Sequence, residues 1–206
     1  MGTLAKMWHD TYANVGSTRH ASARPQGTRN SVATAQELIA TRDGRELVLR
    51  RIRADDVAAL QRGFAHLTPD EVRMRFLHPL NELPREFANS LCDLDPRYAL
   101  AWVLADPDRA AGPEIHAVAR IHLDPVTEQA EFALVVQRQF AGQGFGALLM
   151  RRAIDNARQL GAVEIWGDIL LDNSAMLHLC GKFGFSHNLV PHNPGVQRVT
   201  LELAAT

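Results

Sequence analysis

Cysteine is nearly absent from this chain: Cys92 and Cys180 are the two in 206 residues. Two thiols without metal-type spacing argue against a disulfide-stapled scaffold and fit a reducing compartment. The nine histidines are scattered, with no close helical pair and third ligand, so no metal is expected. Net charge is missing too. The 22 basic and 23 acidic residues nearly cancel, which leaves no electrostatic reason to expect nucleic acid or an anionic membrane surface as a partner. No apolar run is long enough to span a bilayer, and the N-terminus lacks the apolar centre of a secretory signal, so the cytoplasm is the expected location. From Thr11 to Gln36 acidic residues are absent, while Arg19, Arg24 and Arg29 sit among small polar residues. That composition predicts a poorly ordered arm over residues 1–35, able to pack on a partner subunit in a homodimer, ahead of one domain over 36–206.

What the chain does have is 46% hydrophobic residues in ordered patterns. "QELIATRDGRELVLRRIR" places two apolar-alternating runs around Asp43 and Gly44, a hairpin signal. "ADDVAALQRGFAHLTPDEVRMRFLH" spaces Val57, Leu60, Phe64 and Leu67 as one helix, breaks at Thr68-Pro69, and continues as a second. "ELPREFANSLCDL" reads as a further short helix. "YALAWVLA", "EIHAVARIHL" and "QAEFALVV" are strand-like runs with short turn-rich links, hence neighbours in an antiparallel meander. A helix from Gly144 to Leu160, a strand "EIWGDILL", a helix "NSAMLHLCGKFG" capped by Asn173 and a strand "VQRVTLEL" complete the chain. The arginines from Arg42 to Arg53 are expected on a solvated hairpin face.

Between "QAEFALVV" and the long helix stand three alternating glycines, Gly142, Gly144 and Gly146. Glycine lets a ligand approach main-chain N–H groups, and the first turn of a helix carries unpaired N–H groups and the positive end of the dipole. An anion site is the chemistry such a junction offers. "GQGFGA" can be written G-x-G-x-x-A, a dinucleotide fingerprint, but five residues separate it from the strand and too few βα units precede it. A P-loop is excluded by the lack of Lys-Ser or Lys-Thr after the last glycine.

The order of hairpin, helices, meander, glycine loop, long helix, strand and "KFGF"-ending helix resembles the GNAT-type N-acetyltransferases over about residues 45 to 203. The family's Gln/Arg-x-x-Gly-x-Gly/Ala motif falls on residues 141 to 146, with both motif glycines present and Ala141 in place of Gln or Arg. "LTPDEVRMRFLHPLNELP", "AEFALVV" and "NSAMLHL" look most like the acetyltransferase domain of bacterial Pat-type protein-lysine acetyltransferases. The resemblance implies an α/β acyltransferase fold, a mixed, mostly antiparallel sheet flanked by helices. It implies acetyl-CoA as cosubstrate and an amine acceptor, a protein lysine or a small amine. The pyrophosphate would lie on the N–H groups of Gly142, Gln143, Gly144, Phe145, Gly146 and Ala147. The pantetheine arm would run along Leu134, Val135 and Val136 and touch Asn173.

An amine of ordinary lysine basicity is deprotonated to about one part in a thousand or less at neutral pH, so a base is needed. Strand alternation puts Glu131 on one face with Ala133 and Val135, and a carboxylate inside an apolar strand is costly unless used or paired. The position also matches the catalytic glutamate of the Pat-type enzymes. The competing reading pairs Glu131 with Arg120 on the neighbouring strand. Where many relatives carry an acid tyrosine the aligned residue is Cys180, expected to pack in the core and leave water as the acid. Asp168 is either a site for a cationic group or an edge-strand charge.

Overall fold

The computed structural model describes residues 36–107, 113–191 and 193–203; the arm expected over residues 1–35 lies outside them. Strand β1 (Glu37–Ala40) turns at Arg42, Asp43 and Gly44 into β2 (Glu46–Arg51), with Gly44 at φ 83 where a side chain would be strained. Helix α1 (Val57–Ala65) follows, then α2 (Pro69–Phe76) and α3 (Arg85–Cys92). The break between α1 and α2 is a capping box. The Glu71 N–H donates to Thr68 Oγ1 at 3.2 Å, the Thr68 N–H donates to the Glu71 carboxylate at 2.7 Å, and Pro69 opens the helix.

Strands β3 (Ala99–Ala105), β4 (Ile115–Asp124) and β5 (Gln129–Val136) form the expected antiparallel meander. Helix α4 (Phe145–Gln159) leads to β6 (Glu164–Leu170), then α5 (Ser174–Lys182), β7 (Ser186–Leu189) and β8 (Val196–Glu202). The eight strands join in one sheet of order β1-β2-β3-β4-β5-β6-β8-β7, antiparallel except where β5 meets β6. Sequence pattern does not reveal β7. All four of its residues are exposed, so it carries no alternation to detect.

Two apolar layers cover the sheet. On one face Leu149, Met150 and Ala153 of α4 pack on Ala119, Ile121, Phe132 and Leu134; on the other, Leu60, Phe64, Phe87 and Leu91 of α1 and α3 pack on Val103 and Val118. Helix α1 comes so close to β4 that a Cβ at Gly63 would stand 1.9 Å from the Ile115 carbonyl oxygen. The expectation of a solvated arginine face on the first hairpin is corrected at Arg50. It is buried and forms two bonds to Asp56, at 2.6 and 2.8 Å, because the turn Ala54–Asp56 folds that carboxylate back under β2. Arg51 likewise bonds Asn156 of α4 at 3.0 Å and stacks on Trp102.

Candidate active site

The sheet forks at its centre. β5 pairs with β6 through Gln129–Glu164, Ala130–Ile165 and Glu131–Trp166 alone, although β5 continues to Val136 and β6 to Leu170. One residue past the last pair, the Phe132 ring lies against Gly167, where a Cβ would meet it at 2.7 Å. β4 meanwhile holds β5 in register up to Ala117–Val136. The Gln137 N–H donates to the His116 carbonyl at 3.0 Å and the Val163 N–H to the Glu128 carbonyl at 2.8 Å. Alternation therefore turns the peptide groups of odd residues, Val135 included, toward β4 and those of even residues toward β6. Beyond the fork, Leu134 and Val136 present a main-chain edge with no strand to bond.

The fork opens beside the glycine loop. A short turn, Arg138–Phe140, buries Phe140 beneath it, 4.6 Å from the His116 ring and 6.4 Å from the ring of Phe145. Gly142 and Gly144 take φ of 71 and 89, left-handed conformations that a side chain would strain. The first bond into α4 runs from the Leu148 N–H to the Gly144 carbonyl at 3.0 Å, which leaves the Phe145, Gly146 and Ala147 N–H groups without a helical acceptor. Phe145 is a core side chain and offers its backbone only. The loop is tied down at both ends: the Arg42 N–H donates to Gln143 Oε1 at 2.9 Å and the Arg138 N–H to Glu71 Oε1 at 2.6 Å. Across the fork, Asn173 caps α5 by accepting the Met176 N–H at 3.2 Å.

Glu131 sits at the fork's base, 8% exposed, on the face covered by α1, α2 and α3. His122 of β4 is directly opposite it in register. Burial, helped by the Arg120 charge, pushes the His122 imidazole below its usual range. Glu131 stands within electrostatic reach of Arg75 from α2 and Arg198 from β8. Arg120, next along the same face of β4, donates its Nη2 to the Leu91 carbonyl at 2.6 Å. Asp168 is bound by Arg198 through two bonds of 2.7 Å, with Arg198 also 4.0 Å over Trp166, so it is a cross-strand ion pair. Cys180 is fully buried, and burial pushes its thiol up to about 12. His178 is exposed. Among the described residues no group of three or more His, Cys, Asp or Glu could hold a metal.

Sequence reasoning missed most of the charges around Glu131. Arg120 was named as a neighbour of Glu131, and His122 was accessible in the same way: in "HAVARIHL" His116, Arg120 and His122 fall on Glu131's face once β4 and β5 are aligned. Arg75 and Arg198 arrive from elements distant in sequence, and no local pattern announces them.

The fork thus combines an open main-chain edge leading to the glycine-rich start of α4 with a buried carboxylate at its base. The family model for the acetyltransferase (GNAT) domain matches residues 46–186, and the chain belongs to that family. It is 28% identical over 143 residues to an acetyltransferase of Pseudomonas aeruginosa, covering 69% of this chain and 76% of that one. The fold matches the GNAT domain of S. lividans PAT with TM-score 0.69 and 21% identity, over 82% of this chain and 97% of that one. Spermidine N-acetyltransferase from Vibrio cholerae, solved with CoA and spermine, matches with TM-score 0.57 and 17% identity, over 76% of this chain and 95% of that one.

Proposed function

We propose that this protein is an acetyl-CoA-dependent amine N-acetyltransferase in which Glu131 is the general base. The observation that carries the reading is the fork: an unbonded edge at Leu134 and Val136, ending in the glycine loop, with a buried carboxylate at its base. Acetyl-CoA supplies a thioester whose carbonyl carbon is open to attack by an amine. The N–H groups from Gly142 to Ala147 bind its pyrophosphate, with Ala141 leaving that task to the backbone. Leu134 and Val136 orient the pantetheine arm as an added strand beside Val135, and Asn173 flanks it from the far side. Glu131 accepts the proton that the ammonium must lose before it attacks. Cys180, with its thiol pushed up to about 12, is a poor proton donor, so water protonates the departing thiolate.

Two acceptor classes remain in view. The fold likeness to the S. lividans PAT domain supports a protein lysine. The cavity walled by α1, α2 and α3, with two arginines in its lining, supports a small molecule. Free-thiol release from acetyl-CoA, run with a lysine-containing protein panel and a small-amine panel, tests the function. Amine-dependent release is expected. Calorimetric binding of acetyl-CoA with no release on either panel would make the protein an acyl-CoA-binding module instead.

A further inference from the structure

The fork has two diverging ends, and one short helix is bonded to the chain beyond both. β5 ends at Val136 and β6 at Leu170. Beyond the first end, the Arg138 N–H donates to Glu71 Oε1 of α2 at 2.6 Å. Beyond the second, Arg73 Nη2 of the same helix donates to Asp172 Oδ2 at 2.5 Å. Arg138 opens the turn that leads into the glycine loop, and Asp172 directly precedes Asn173, the cap of α5. Glu71 and Arg73 therefore join the two banks of the fork through one another's helix.

Apolar packing gives α2 little other anchorage. It buries Val72 alone, whereas α1 buries Ala59, Leu60, Gly63 and Phe64, and α3 buries Phe87, Ala88, Leu91 and Cys92. The polar ties consequently carry much of its placement. Glu71 is well prepared for this, because its other oxygen is already engaged. Oε2 accepts both the Thr68 N–H and the Thr68 hydroxyl at 2.7 Å, so the capping box holds the carboxylate with Oε1 turned to Arg138. A carboxylate accepting from a backbone N–H makes a charge-assisted bond, the stronger of the two ties. The Arg73–Asp172 pair, with side chains 35% and 59% exposed, is the weaker.

Resting on the acetyl-transfer reading above, in which the pantetheine arm lies between β5 and β6, we propose that α2 is the crosspiece of the fork, with Glu71 and Arg73 as positioning residues. They set the spacing between the ends of β5 and β6 before the cofactor arrives. A slot ordered in advance has less freedom to lose on binding, so acetyl-CoA binds more tightly than it would between untied ends. Neither side chain has to touch the cofactor for this effect.

The test is the Kd of acetyl-CoA by calorimetry, with the melting temperature of each protein. Glu71→Ala removes the tie together with the capping box, whereas Thr68→Ala removes the cap hydroxyl and leaves Glu71 Oε1 on Arg138. Both should melt lower than the native protein. Glu71→Ala alone should weaken acetyl-CoA binding, by about 10-fold or more, the scale of one hydrogen bond to a charged group. Arg73→Glu should weaken it about 3-fold, and adding Asp172→Arg should restore the native Kd, a recovery that a general loss of stability would not give. Native affinity in Glu71→Ala, an equal loss in Thr68→Ala, or no recovery in the charge-reversed pair would overturn the crosspiece. Failure of the native protein to bind acetyl-CoA would instead overturn the acetyl-transfer reading beneath it.

Discussion

The two faces of the central sheet carry alternate residues of the same strands under different rules. Toward α4, Ala119, Ile121, Phe132 and Leu134 meet Leu149, Met150 and Ala153 in an apolar layer. Toward α1, α2 and α3, Val118 and Val135 share the intervening positions with the polar His116, Arg120, His122, Glu131 and Gln137. The polar face costs stability, because each buried polar group must regain the hydrogen bonds it had in water. Some do so within a network: His116 bonds Asp106 at 2.8 Å and Gln137 at 3.1 Å, and Gln137 reaches the Gly63 carbonyl at 3.0 Å. Others, the Arg120 Nε and the His122 Nδ1, do not. The period of two along a strand thus separates a face that holds the fold from one that holds reactive groups, and the fork places the second beside an open edge.

Substitutions on each face sharpen that division. On the apolar side, Leu149→Ala empties a fully enclosed position and should cost roughly 2–5 kcal/mol in urea unfolding, with activity of the remaining folded protein retained. On the polar side, Gly63→Ala sets a methyl against the Ile115 carbonyl and should cost about 1–3 kcal/mol. It should also raise acceptor KM, since α1 walls the cavity; a stability loss without that KM change would break the link between helix seating and site. Asn173→Ala removes the α5 cap and should cost about 0.5–2 kcal/mol, read by thermal melting.

The smallest effect concerns pH. Because burial holds the His122 imidazole below its ordinary value of about 6.5, the folded state binds that proton less readily than the unfolded chain. Its contribution is complete above about 6.5 and is lost as pH falls through the lower folded value. His122→Gln should therefore flatten the acid side of a melting-temperature profile. An unchanged slope would show that the imidazole does not titrate differently in the fold.

Much of this arrangement was legible in the sequence. Asp43-Gly44 fixed a turn, Thr68-Pro69 a helix boundary, and the alternation of "QAEFALVV" the facing of Glu131, because each is local chemistry. The glycine loop was legible as well, since glycine admits the positive φ that Gly142 and Gly144 adopt. β7 was not, because its side chains face water on both sides. The burial of Arg50 was hidden because Asp56 reaches it through a turn that composition does not disclose. The division of main-chain edges among Leu134, Val135 and Val136 depends on which neighbour β5 keeps, and strand pairing is a property of the whole sheet.

The measurement closest to the central claim is turnover and acetyl-CoA affinity of Glu131→Gln, taken together with its melting temperature. A neutral isostere at the fork's base should bind acetyl-CoA as the native protein does, stay folded, and lose roughly 10²-fold or more in acetyl transfer. Transfer at the native rate from a folded Glu131→Gln protein would contradict the account.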